Sequence, residues 1–74
     1  MNLNGLSQET ILIISDFIKS DKLTFSEVFS LLSTPKRLRI EKFDEQIKKR
    51  VPRFYQIQYR DKIQKVRNEL ENYD

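Results

Sequence analysis

Bulky apolar side chains recur every three or four positions along most of this chain, the spacing that places them on one face of an α-helix. The clearest series consists of Ile40, Phe43, Ile47 and Val51. Two prolines, Pro35 and Pro52, interrupt the pattern, because proline ends or kinks a helix near the residue before it. The sequence therefore predicts an all-α fold, a compact bundle of about four helices.

Hydroxyl side chains mark where the first two helices begin. Ser7 is placed as the N-cap of a helix over about residues 8–20. Thr24, followed three residues later by Glu27, has the spacing of a capping box for a second helix, which must end near residues 33–34. Pro35 suits the first turn of a third helix with Thr34 as its N-cap, or with Ser33 in that role.

The segment after Pro52 has two interpretations. Apolar residues spaced by four and three predict a fourth, longer helix over about residues 53–72; they are Tyr59, Ile63, Val66, Leu70 and Tyr73. Within residues 53–59, however, apolar and polar side chains alternate from Tyr55 to Tyr59, the pattern of a half-buried strand. The alternative is therefore a strand that pairs between two copies of the chain.

Composition limits the chemistry. A chain of 74 residues forms one domain at most, which we place over residues 1–74. There is no cysteine and no histidine, so disulfides, thiolate metal sites and the commonest catalytic base are excluded. The single glycine excludes a glycine-rich phosphate loop. We expect a protein that is not an enzyme and takes no cofactor, no metal and no small-molecule substrate.

The sequence predicts neither a signal peptide nor a membrane-spanning segment. The segment Met1–Gly5 lacks the positive charge of a signal peptide. The longest apolar run, Ile11–Ile14, is far shorter than the roughly 20 residues that a membrane-spanning helix needs. We expect a cytoplasmic protein that makes no contact with a membrane.

Charge is divided unequally along the chain. The first 33 residues contain four acidic and two basic side chains, whereas the other 41 contain seven acidic and twelve basic ones. Helical spacing predicts one polar stripe on the third helix, made of Arg39, Lys42, Gln46, Lys49 and Arg53 and flanked by Lys36 and Arg50. A basic stripe opposite an apolar face is typical of a phosphate-binding surface, although a solvated face that maintains solubility is the alternative.

The leading functional hypothesis is a small nucleic-acid-binding protein, with DNA and RNA both open. The predicted phosphate contacts are Lys36, Arg37, Arg39, Lys42, Lys49, Arg50 and Arg53. Phe54 and Tyr55 follow them and are candidates for stacking on unpaired bases or for contacting a partner. The helix order is also that of a tri-helical, helix-turn-helix-like core of a DNA-binding regulatory protein, in which the third helix would enter the major groove.

A protein partner is the alternative hypothesis. In this interpretation the chain is an adaptor or inhibitor that docks on an acidic protein, and its bases steer the association. Apolar contact would come from Phe54, Tyr55, Ile57 or Leu70. The C-terminal helix could also form a homodimer, with Leu70 and Tyr73 facing the second protomer.

Overall fold

The computed structural model describes residues 5–73, which form five α-helices and no strand. In chain order the helices are α1 (Gln8–Lys19), α2 (Phe25–Ser33), α3 (Lys36–Arg50), α4 (Arg53–Gln58) and α5 (Arg60–Asn72). Helix α5 packs against α1, α3 and α4, while α3 also packs against α2. The prediction of an all-α bundle is confirmed.

Two sequence predictions extend beyond the described residues. The predicted domain covers residues 1–74, and the predicted absence of a signal peptide rests on the first five residues; residues 1–4 and 74 lie outside the described part. No helix within residues 5–73 combines the length and the apolar character that crossing a membrane requires.

The first two helices begin where their capping residues predict. The hydroxyl of Ser7 accepts a hydrogen bond from the backbone N–H of Thr10 at 3.2 Å. At α2 the Thr24 hydroxyl accepts from the N–H of Glu27 at 3.1 Å, and the Glu27 carboxylate accepts from the N–H of Thr24 at 2.9 Å. Both caps satisfy backbone donors that the first helical turn leaves unpaired.

The start of α3 differs from the prediction. Pro35 occupies the N-cap position itself, and no side chain caps the helix. The hydroxyl of Thr34 instead donates backwards to the carbonyl of Ser30 at 2.5 Å, at the end of α2. The predicted cap by Thr34 or Ser33 was wrong because Thr34 satisfies the preceding helix.

The predicted fourth helix forms, but with a break at Tyr59 that divides it into α4 and α5. Hydrogen bonding continues across the break, since Tyr59 donates to the carbonyl of Tyr55 and accepts from the N–H of Ile63, both at 2.9 Å. The rings of Tyr55 and Tyr59 stack at 4.1 Å and both meet Phe17 edge-on. The strand alternative for residues 53–59 is wrong, because the two tyrosines share a helical face that packs on α1.

The core draws on every helix except α4. Its buried apolar side chains are Leu6, Ile13, Ile14, Phe17, Leu23, Val28, Leu31, Phe43, Ile47, Val51, Val66 and Leu70. Leu70 is buried within its own chain and Tyr73 packs against the same core. Leu70 therefore has almost no exposed surface to offer a second protomer, whereas Tyr73 is half-buried, and the homodimer stays a prediction.

Within residues 5–73, Arg39 is the one buried charged side chain, with 4% of its surface exposed. Its guanidinium donates to Leu31 and Thr34 at the end of α2, at 3.2 and 3.3 Å, and to Leu70 and Tyr73 at the end of α5, both at 2.7 Å. The last carbonyls of a helix carry partial negative charge, so two helix ends offset the buried positive charge.

A polar cluster ties the start of α1 to α5. The carboxylate of Glu69 accepts from the backbone N–H of Ser7 at 2.7 Å and from its hydroxyl at 2.6 Å. The ammonium of Lys65 lies 3.5 Å from the same carboxylate and 3.4 Å from that of Glu9. The hydrogen bonds from Ser7 hold the pKa of Glu69 below its ordinary value.

This cluster makes the stability of the fold depend on pH. A carboxylate whose pKa is lowered by folding stabilises the protein above the unfolded pKa of about 4.3, and this contribution is lost as pH falls through the folded pKa. We expect Glu69→Gln to destabilise the protein by about 1 kcal/mol at neutral pH and by much less in acid. Thermal unfolding followed by circular dichroism measures both values. If the difference in stability between the original protein and Glu69→Gln does not change with pH, the assigned role of the Glu69 carboxylate is contradicted.

Candidate nucleic-acid interface

The predicted basic stripe does not exist as a surface. Arg39 is buried beneath two helix ends, and Lys42 is half-buried with its ammonium donating to the hydroxyl of Ser30 at 2.5 Å. Gln46 is half-buried as well, and α3 ends before Arg53 is reached. Both the assignment of Arg39 as a phosphate contact and the single stripe were wrong, because that face of α3 turns inward.

The outward face of α3 is divided by sign. Lys36 and Arg37 are exposed at its N-terminal end, and Lys48 and Lys49 at its C-terminal end, with three exposed carboxylates between them at Glu41, Asp44 and Glu45. At 1.5 Å per residue the two basic ends are roughly 16 Å apart. A helix laid in the major groove along this face would bring its carboxylates towards the phosphates.

Basic side chains instead gather where α3 turns into α4. They line an open groove of about 740 Å³, here called the basic groove, whose lining residues are Lys48, Lys49, Arg50, Val51, Pro52, Arg53, Gln56, Ile57 and Arg60. Five of the nine are lysine or arginine and none is acidic. The like charges, contributed by three helices, create a strongly positive local field.

The turn that forms the groove is fixed by contacts below it. Val51 is 3% exposed and anchors the turn in the core. The side-chain amide of Gln56 donates to the carbonyl of Val51 at 2.9 Å and lies 3.5 Å from that of Ile47. Gln56 therefore satisfies the end of α3 from within α4, which sets the angle between the two helices.

One of the five charges is already partly compensated. The guanidinium of Arg50 lies 3.4 Å from the Glu27 carboxylate and 3.5 Å from that of Asp21. Within residues 5–73, no carboxylate lies within ion-pair distance of the other four bases of the groove. These four, which remain available to an anionic ligand, are Lys48, Lys49, Arg53 and Arg60.

Helix stability explains only part of this cluster. Lys48, Lys49 and Arg50 occupy the last turn of α3, where positive charge stabilises the helix dipole. Arg53 lies in the first turn of α4, where the dipole of α4 itself disfavours a cation. The stability of α4 therefore does not explain the position of Arg53.

Two of the groove's bases were missed from the sequence. Lys48 lies four residues after Asp44, the spacing of a helical ion pair, but Asp44 accepts two hydrogen bonds of 3.0 Å from Arg67 on α5 instead. Arg60 is seven residues after Arg53, which places both on one face of a helix. That spacing was the available signal for Arg60.

The two predicted stacking residues have different surroundings. Phe54 is 70% exposed, whereas Tyr55 is half-buried between the rings of Phe17 and Tyr59. The ammonium of Lys22 also lies 4.9 Å from the centre of the Tyr55 ring. Only Phe54 of the pair presents a ring to a ligand.

No protein-family model, curated protein sequence or solved structure matches this chain. Its function is therefore inferred from the chemistry of the basic groove.

Proposed function

We propose that this protein binds nucleic acid by holding backbone phosphates in the basic groove. The observation that carries the proposal is a groove lined by five lysine and arginine side chains and no carboxylate. Lysine and arginine neutralise phosphates and release condensed counterions, which supplies affinity without reading sequence. The partner is accordingly a polyanion that is recognised by its backbone.

The contact residues differ from those of the sequence hypothesis. Lys49, Arg50 and Arg53 are retained and Lys48 and Arg60 are added, since all five line the basic groove. Arg39 and Lys42 are removed from the set because their charged ends are bound inside the fold. Lys36 and Arg37 are exposed but lie outside the groove. We do not propose α3 as a helix inserted into the major groove, because of the carboxylates on its outward face.

The test is a fluorescence-anisotropy titration of short labelled DNA and RNA oligonucleotides at several salt concentrations. We expect saturable binding. The logarithm of the association constant should fall linearly with the logarithm of the salt concentration, with a slope of about −3 for three to four neutralised phosphates. If no oligonucleotide binds even at low salt, the lysine and arginine side chains of the groove form a solvated face and the proposal is rejected.

An acidic protein partner is the second candidate. The observation that favours it is Ile57, which lines the basic groove with 69% of its surface exposed and offers an aliphatic contact that a phosphate does not use. A partner of this kind would be retained after nuclease treatment and at high salt. It would be lost with Ile57→Ser but kept with Leu12→Ser, a control at a 57% exposed leucine on α1.

A further inference from the structure

We infer that the ligand of the basic groove is a single strand of nucleic acid, one unpaired base of which stacks on Phe54. This inference rests on the proposed function of the groove and adds to it the class of nucleic acid. Two observations support it: the position of the exposed apolar side chains of α4 relative to the lysines and arginines of the groove, and the distribution of acidic side chains on the neighbouring surfaces.

Phe54 and Ile57 form an exposed apolar pair at the edge of the groove. They are three residues apart on α4, so their side chains are neighbours on one side of the helix, and they are 70% and 69% exposed. Ile57 lines the basic groove itself, which places Phe54 beside it. A ligand held in the groove therefore passes next to a phenylalanine ring that the fold leaves open.

Acidic side chains border the groove on two sides. The hollow beyond Ile57, lined also by Gln58 and Arg60, contains the carboxylate of Asp61. On the other side, the hollow between α3 and α5 contains three carboxylates, those of Glu41, Asp44 and Glu45. Arg60 offsets Asp61 in the first hollow, and Lys48 and Arg67 leave a net charge of −1 in the second. The basic groove is therefore the most positive of the three surfaces and the most favourable place for backbone phosphates.

A double helix cannot use this ring without being opened. Its bases are stacked on one another, so their faces are not available to a side chain outside the duplex, and extruding one of them costs a few kcal/mol. In a single strand the base faces are free, and stacking on an aromatic ring adds affinity with little dependence on base identity. A positively charged groove with an aromatic ring at its edge is the arrangement that binds single strands.

The test compares Phe54→Ser with Phe25→Ser, which removes a 60% exposed phenylalanine from α2. Three labelled probes are titrated: oligothymidylate, an abasic strand of the same length, and a duplex. We expect Phe54→Ser to weaken oligothymidylate binding about tenfold and to leave the abasic strand and the duplex unchanged. The Phe25→Ser variant should match the original protein with every probe, and unchanged thermal midpoints would show that both variants fold.

The outcomes separate this inference from the proposed function. If the original protein binds none of the probes, the proposed function fails and the inference fails with it. If it binds the duplex as tightly as oligothymidylate, or if Phe54→Ser binds oligothymidylate normally, only the inference is overturned. It is also overturned if Phe54→Ser impairs binding to phosphatidylserine-containing vesicles and not to oligothymidylate, because the ring then serves a membrane surface.

Discussion

Replacing Arg39 with methionine is expected to destabilise the protein by about 3 kcal/mol or more, a large part of the 5–15 kcal/mol typical of a folded domain. Methionine fills much of the same space but donates no hydrogen bond. Four carbonyls at the ends of α2 and α5 would lose their shared donor, and those of Leu31 and Leu70 lie in the buried interior of the contact. These two carbonyls would keep only the hydrogen bonds from the backbone N–H groups of Thr34 and Tyr73, at 3.2 and 3.4 Å. Each lost hydrogen bond to the charged guanidinium contributes about 1.5–3 kcal/mol.

Arg37→Met is the matched control for this prediction. It removes the same charge from the same helix two residues earlier, at an exposed position, and should change stability by less than about 0.5 kcal/mol. Urea unfolding followed by circular dichroism gives both values. Equal stability of the two variants would show that Arg39 does not join the helix ends, whereas an intermediate value for Arg39→Lys would fit the loss of some but not all of its donors.

The second large effect is expected on nucleic-acid affinity. Replacing Lys49 and Arg53 together with glutamine should weaken oligonucleotide binding at least tenfold at low salt. It should also reduce the slope of the salt dependence by about 1.4, because each phosphate contact of a single strand contributes about 0.7. Thermal stability should not fall through the loss of Arg53, because its charge opposes the dipole of α4.

A double substitution outside the groove controls for net charge. Lys19 and Lys62 are both exposed, and Lys62 lies on the side of α5 that faces α1. The variant with glutamine at these two positions loses the same charge and should keep its affinity to within about twofold at physiological salt, because neither side chain lines the basic groove and the Debye length is then only about 8 Å. If the two double variants lose affinity equally, binding reflects total charge and not the basic groove.

The parts of the fold that sequence predicts depend on contacts between near neighbours in the chain. The caps at Ser7 and Thr24 each involve a residue three positions away, and the helix ends near Pro35 and Pro52 follow from proline's own geometry. Helical periodicity identifies most of the core for the same reason. The break at Tyr59 is not visible in that pattern, because it accompanies ring contacts with Phe17 on another helix.

The errors in the predicted site have one physical origin. Helical spacing shows which residues share a face but not which neighbour that face meets. Arg39 is four residues before Phe43 and therefore borders the apolar face. Its acceptors, however, are 5 to 34 positions away and lie at the ends of two other helices. From sequence alone the charge of Arg39 indicates solvent exposure, because the sequence does not show that two helix ends surround it.

The basic groove depends in the same way on how consecutive helices turn. Its bases come from α3, α4 and α5, and the turn at residues 51–52 brings them to one opening. Their spacing in the sequence places Arg53 and Arg60 on one helical face. The angle between α3 and α4, which brings these two residues close to Lys48 and Lys49, is set by Gln56 and by burial of Val51. A basic surface in the second half of the chain was therefore predictable, whereas its position and the residues that form it were not.

The most direct test of the basic groove is a nuclear magnetic resonance titration of the isotopically labelled protein with oligothymidylate. Backbone amide signals report which residues the ligand contacts. We expect the largest shifts within residues 48–60, above all at Lys49, Arg53 and Ile57, with little change around Lys36 and Arg37. Shifts centred on the start of α3, or no shifts at saturating oligonucleotide and low salt, would contradict the assignment of the basic groove as the nucleic-acid site.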